Sequence, residues 1–237
     1  MVRGPAAVLT AAFAAALAYL LITPVLPGIG GTGDTNTIVS DVPTMLVLGG
    51  CVLALLPARD EPLVLAIFAL GAGMLAAAMT NAGAHAAADV AKVLLAGSAG
   101  MLLAKFFDEP AIVVGVPLFV AAVDIVSVAG GPTTLLARDS SRTGEFLSLY
   151  LPAWGGGRAG VIGLVDFVFL GFFASAAWRF GLRRRPTAVG LLAALPAAIG
   201  IQVARGGVLP ALPLLAAGLL IPNLDLLPLL VRARRER

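Results

Sequence analysis

Two lone carboxylates in long apolar runs are the residues of this chain with chemistry to offer. Asp124 is the only charge in Ile112 to Val128, and Asp166 lies within Val161 to Phe173, preceded by Gly163, Leu164 and Val165. A carboxylate in the body of a membrane helix costs roughly 2.5–3.5 kcal/mol on insertion scales, so it is a functional hypothesis by default. A third apolar run carries Pro210, Ala211, Leu212 and Pro213. Proline removes a backbone donor and clashes with the preceding turn. Two prolines around Ala211 and Leu212 therefore predict an unwound segment, which a membrane tolerates only where it lines a cavity or other protein. Asp124 falls six residues before the end of an expected span at 111–130, and Asp166 eight after the start of the next at 158–180. Consecutive spans run antiparallel, so at about 1.5 Å per residue both acids are expected roughly 9–12 Å below one face. Two close carboxylates in a low-dielectric site share a proton. The ionised member can activate a water against a peptide carbonyl that the protonated member polarises. The unwound segment can offer backbone groups to a substrate strand. Such a site needs no metal, cofactor or covalent intermediate.

The rest of the composition narrows the class. Hydrophobic residues make up 59% of the 237 and charged residues 12%, against about 45–50% and about 25% in soluble domains. This is the composition of a polytopic membrane protein, all-α, in one helix bundle, since no polar segment is long enough for a separate soluble domain. Cys51 is the only cysteine and His85 the only histidine, so an intrachain disulfide and a two-histidine zinc site are excluded. His85 lies thirteen positions before Ser98 of the Gly97-Ser98-Ala99-Gly100 cluster. On one helix that is about 20 Å, too far for a serine–histidine dyad. The glycines of the Gly28–Asp34 loop follow a membrane span, not a strand, and are expected to form a flexible connector instead of a phosphate cradle.

About eight spans are expected, at 5–26, 42–57, 62–80, 89–106, 111–130, 158–180, 187–204 and 207–230, with the second the shortest. The first continues through Tyr19 to Leu26 without a small-residue cleavage site and is expected to be an anchor, not a signal peptide. The chain divides at 106 into four N-terminal spans (1–106) and a part carrying both aspartates and the proline segment (107–237). One side of the membrane receives Arg3, Arg59, Lys105, Arg179, Arg183, Arg184, Arg185 and the basic tail from Arg232. The other receives Lys92, Arg138, Arg142, Arg158 and Arg205. The excess predicts a multi-pass cell-membrane protein with a cytoplasmic C-terminus and loop 131–157 facing outward. The arginines are thereby topology signals and not a nucleic-acid surface. Asp89 and Lys92, three apart, are expected to pair locally. Asp225 is expected at the interface, His85 in a loop, and Tyr150, Trp154 and Trp178 as interface anchors. Gly71, Gly73, Gly97 and Gly100 are expected at close helix contacts.

Three motifs in order resemble those of the presenilin and signal peptide peptidase family. Asp124-Ile125-Val126-Ser127 followed by Gly131-Pro132 is similar to its first-aspartate motif. Gly163-Leu164-Val165-Asp166 resembles its Gly-x-Gly-Asp motif, and Leu209-Pro210-Ala211-Leu212-Pro213 its Pro-Ala-Leu motif. The resemblance implies a presenilin-like bundle, usually of nine spans, and an intramembrane aspartyl protease with Asp124 and Asp166 catalytic. Gly163, Leu164, Val165 and the Pro210–Leu212 segment would shape the substrate site, the substrates being transmembrane polypeptides or signal peptides in the lipid bilayer. The outward loop resembles the signal peptide peptidase orientation and is too short for presenilin's self-cleaved insertion. Two positions depart from the pattern: Val123 stands where tyrosine is usual and Val165 where the second glycine is usual. Valine at 165 either narrows the substrate range or marks a homologue that no longer cleaves. Outside this reading stand a proton- or cation-coupled carrier using both aspartates, a non-cleaving membrane scaffold, and the prepilin peptidases, which share the second motif but lack Pro-Ala-Leu.

Overall fold

A computed structural model describes residues 5–29, 33–130, 142–206 and 210–228. The expectations resting on Arg3, Gly131, Pro132, Arg138, Leu209 and the tail from Arg232 lie outside them. The chain is mostly helical. In order it forms α1 (Pro5–Ile22), α2 (Gly33–Ala54), α3 (Pro62–Asn81), α4 (His85–Leu103), α5 (Ile112–Gly130) and the short α6 (Arg142–Leu147). A β-hairpin follows, β1 (Ser148–Pro152) and β2 (Arg158–Gly163), then α7 (Leu164–Arg179), α8 (Arg184–Arg205) and α9 (Leu212–Leu220). Among the described residues six helices, α1 to α5 and α8, are long and apolar enough to cross a membrane. Every expected span has a helix at its centre, and the composition and these helices are those of a membrane protein.

Three expectations about the elements are corrected. The second span is not short: α2 begins at Gly33 and runs for 22 residues. Its start escapes a hydropathy reading because Asp34, Asn36, Ser40 and Asp41 crowd the first turns. Three hydroxyls there are satisfied within the helix, Thr37 donating to the Gly33 carbonyl, Ser40 to Asn36 and Thr44 to Ser40, which lets polar residues sit in an apolar setting. The sixth span does not begin at 158, because Arg158–Gly163 is a strand and the helix runs only from Leu164 for 16 residues. The eighth is a nine-residue helix ending in a single tight turn at Ile221–Asn223, bounded by Pro213 and Pro222.

The short α7 is the axis of the bundle. Phe167, Leu170, Phe172 and Phe173 are all buried, and Phe172 meets Phe107 and Phe173 edge-on at ring-centroid distances of 5.6 and 5.8 Å. Such pairs contribute about 0.5–1.5 kcal/mol beyond the area they bury. In lipid the apolar surface of a helix has no drive to leave its solvent, so close approach through small residues holds helices together. Two crossings have that form. On α4 against α7, a Cβ added at Gly171 would stand 2.6 Å from the Gly97 carbonyl oxygen, and one at Gly100 would collide with the backbone at Val168. On α8 against α9, a Cβ at Gly218 would lie 2.5 Å from the Gly190 carbonyl oxygen. Gly97 and Gly100 thus sit at close contacts as expected, whereas Gly71 faces open space and Gly73 meets only the tip of Leu95 at 3.8 Å.

Charge is sorted between the two ends. At one end Arg59 and Lys105 both reach Asp60, at 2.8 and 3.5 Å, Arg179 pairs with Asp108 and Arg183 with Asp225 at 2.7 Å. Asp225 is thus an exposed, paired acid, in keeping with an interfacial place. Lys92 does not belong to a loop count at all, since it is buried inside α4.

The crossings predict a contrast between glycines. Gly171→Ala forces α4 and α7 apart and is expected to cost about 1–3 kcal/mol of stability, as for other overpacked interiors, and so to lower the thermal unfolding midpoint in detergent. Gly50→Ala on α2, where nothing lies within 4 Å of the added carbon, is expected to leave the midpoint unchanged or raise it.

Candidate functional site

Asp124 lies on the inner side of α5, half-buried, between Val123 and Ile125, which are both exposed. Its Oδ2 accepts a hydrogen bond from the Leu212 N–H at 3.0 Å, and the Ala211 N–H also acts on the carboxylate. These amides are free because the chain at Pro210–Ala211 is not helical and α9 starts only at Leu212. The first amides of a helix have no intrahelical partner and carry the positive end of the helix dipole. The unwound segment expected around Ala211 and Leu212 is present at Pro210 and Ala211 but stops there, because Leu212 and Pro213 already form the first turn of α9, where a proline is tolerated. It turns a helix N-terminus onto the first aspartate.

Asp166 is also at a helix N-terminus. Gly163 caps α7 in an extended conformation, and Asp166, three residues on, interacts with the Gly163 backbone amide, the return half of a capping box. The charged group that acts on Asp166 is Asp124. The two acids lie near enough for one charge to act on the other, and each faces the first amides of a short helix. The place of Asp166 in its element differs from the expectation. Asp166 is in the first turn of α7, two residues past its start and not eight, and a strand precedes it. Leu164 and Leu212 are buried in the core, whereas Val165 and Val161 are exposed.

The hairpin was missed by a reading for helices. Its signal is nonetheless there: Leu149, Leu151 and Ile162 are apolar at alternate positions around Gly155-Gly156-Gly157. Those three glycines have φ of 81, 92 and 85°, a turn that side chains would strain. Ser148 pairs with Gly163, Leu149 with Ile162, Tyr150 with Val161 and Leu151 with Gly160. Leu149, Leu151 and Ile162 are buried against the bundle while Val161 and Gly163 face out. The tip is tied to the segment read as a flexible connector. Asn36 on α2 donates to the Trp154 carbonyl at 3.0 Å and accepts from the Ile29 N–H at 3.2 Å, Ser40 Oγ accepts from the Trp154 N–H at 2.9 Å, and Gly155 donates to the Leu26 carbonyl at 2.7 Å. Residues 26–29 are thus a docking ledge, and Trp154 a turn residue of the hairpin, not an anchor at a span end. His85 is the first residue of α4, 3.5 Å from Glu145, instead of a loop residue.

Asp41 on α2 is a buried acid that the sequence reading passed over, because the second span was started at 42, nine residues after α2 begins at Gly33. Its Oδ1 has no hydrogen-bond partner among the described residues, and a Cβ at Gly160 would stand 2.5 Å from its Oδ2. Glycine at 160 is what lets β2 lie on this carboxylate. Among the described residues no three His, Cys, Asp or Glu side chains converge in a manner suited to a metal ion.

Comparison of the chain with protein-family models, with curated proteins and with solved structures returns no match.

The seat of β2 on Asp41 can be tested directly. Gly160→Ala is expected to destabilise by about 1–3 kcal/mol through overpacking. Adding Asp41→Ala should give much of that back. A double-mutant cycle on thermal unfolding would show the coupling, and strict additivity would contradict the contact.

Proposed function

We propose that this chain is an intramembrane aspartyl protease of the presenilin and signal peptide peptidase type, hydrolysing peptide bonds inside transmembrane segments or signal peptides. The observation that carries the reading is the seating of Asp124 on the Leu212 N–H, with Asp166 as the charge partner. It joins the three sequence motifs at one point. In this reading one carboxylate takes a proton from water as the water attacks the scissile carbonyl, and the other holds the proton that polarises that carbonyl. Neither acid forms a covalent bond to the substrate.

The hairpin supports the same chemistry. A transmembrane helix keeps its peptide bonds inside its own hydrogen-bond ladder, so it must unwind before a carbonyl can be attacked. Among the described residues β2 has no second strand beside it, and an extended segment laid along it would meet Asp166 within a few residues of Gly163. Val161 and Val165 would then line its path. The basic excess on one side supports a multi-pass protein of the cell membrane with the C-terminus in the cytoplasm and the loop around the hairpin outside. The partners in this reading are transmembrane polypeptides and lipid, with no nucleic acid and no cofactor.

A non-cleaving scaffold is the second reading, favoured by one observation: Val165, half-exposed, stands next to Asp166 where a glycine would leave room.

Purified wild type is expected to cut single-span peptides within their apolar segment, and a hydroxyl-containing peptide isostere is expected to block it. Asp124→Ala and Asp166→Ala should each lower the rate by at least about 10²–10⁴-fold, the contribution of a general acid or base, with products followed by mass spectrometry. Val165→Gly should widen the set of peptides cut. If wild type and both alanine variants are equally inert and the isostere labels none of them, the scaffold reading takes over.

A further inference from the structure

Among the described residues one lysine is buried inside the bundle. Lys92 on α4 is 2% exposed, and its partner Asp89 is 3% exposed. Its ammonium group has three protons to donate, and the structure gives it three acceptors: Asp89 Oδ1 at 3.1 Å, the Glu145 carbonyl at 2.9 Å and the Ser148 carbonyl at 2.8 Å. The other Asp89 oxygen accepts from the Tyr150 N–H at 3.2 Å. The pair is therefore more than a local i, i+3 contact. It takes two carbonyls and one amide from the segment 145–150, the end of α6 and the first half of β1.

Burying an ion pair costs desolvation that its mutual attraction seldom recovers in full, and two well-packed apolar residues often do as well for stability. An apolar pair, however, cannot hold a strand at a fixed register. The held strand leads to the candidate site in two links. Ser148, gripped by Lys92, is the ladder partner of Gly163, and Tyr150, gripped by Asp89, is the partner of Val161. The Gly163 amide in turn interacts with the Asp166 carboxylate.

We propose that Asp89 and Lys92 are positioning residues for Asp166. They fix β1 on α4, β1 fixes β2, and β2 sets where Gly163 presents the acid and where an extended substrate lies against it. The inference rests on the protease reading. It adds to it a geometric requirement: with the clamp gone, the acids remain but the peptide bond brought to them is no longer unique.

The test uses the full chain carrying Asp89→Leu together with Lys92→Met, which removes both charges and leaves no buried charge unpaired. Thermal unfolding, kcat, KM and the bonds cut in the single-span peptides are measured beside wild type. The unfolding midpoint is expected to stay near that of wild type. The kcat is expected to fall at least about 10-fold, since displacement of a reacting group by about 1 Å can cost about 10²-fold. KM should change less, and products should spread to neighbouring bonds. Should the double variant not fold, Asp89→Asn with Lys92→Gln, which also leaves no buried charge unpaired, serves the same comparison, with a smaller drop in kcat and the same spreading. Wild-type kcat with wild-type products in the folded variant would overturn the positioning role and leave the protease reading standing. Wild type that cuts none of the peptides and is not labelled by the isostere would overturn both.

Discussion

The hydrogen bond from the Leu212 amide to the Asp124 carboxylate is the point on which the arrangement of the C-terminal helices depends. A carboxylate within an apolar helix needs donors, and α5 cannot supply them, because the amides beside Asp124 are committed to its own helical ladder. The donors come from α9, whose first turn is opened by Pro210. A proline and an aspartate that would each weaken an isolated membrane helix thus complete one another across a helix contact. The same logic holds for Asp166, which takes its donor from the cap of its own helix at Gly163. Two short helices, α7 and α9, present their N-termini to one small region. That is an anion-friendly setting built from backbone alone.

What keeps those N-termini in place is close backbone packing. The α4–α7 crossing at Gly97, Gly100 and Gly171 positions the helix of Asp166. The α8–α9 crossing at Gly190 and Gly218 positions the amides that hold Asp124. Neither crossing tolerates a methyl group without movement, so both act as stiff joints. By contrast α5 packs chiefly on α9 and only thinly on α7, and much of its surface, including Leu118, Phe119 and Val126, faces outward. The first aspartate is thus carried by a helix that one neighbour holds. The second is carried by the most enclosed helix of the bundle. In the proposed protease, a substrate segment would have to pass this loosely held side.

Polar groups on α2 and α4 serve the hairpin. Backbone that is neither helical nor part of a closed sheet survives next to lipid only when its amides and carbonyls are satisfied by protein. Here Asn36 and Ser40 hold the tip, the Asp89–Lys92 pair holds β1, and the strands satisfy each other. Polar residues scattered through α2 and α4, which look like imperfections of apolar spans, are the fittings of a strand pair.

Much of this protein was legible in its sequence. Long apolar runs require helices in lipid whatever their neighbours, so the eight helical centres and the membrane class follow from composition and length. The two acids and the proline break are local facts of the same kind: an isolated charge and a missing amide declare themselves wherever the chain goes. Other features needed the tertiary structure. Strand 158–163 lies in a run apolar enough for a helix, and its extended form is settled by pairing with 148–152 and by the contacts of α2 and α4. Lys92 was legible only as a local partner of Asp89, because its other acceptors lie 53 and 56 residues away in sequence. Asp41 could not be connected to Gly160 until the hairpin lay upon it. Hydrophobicity and backbone chemistry act on a few neighbouring residues and can be read along the chain. Hydrogen-bond partners distant in sequence depend on which surfaces come together, and that is decided only when the bundle closes.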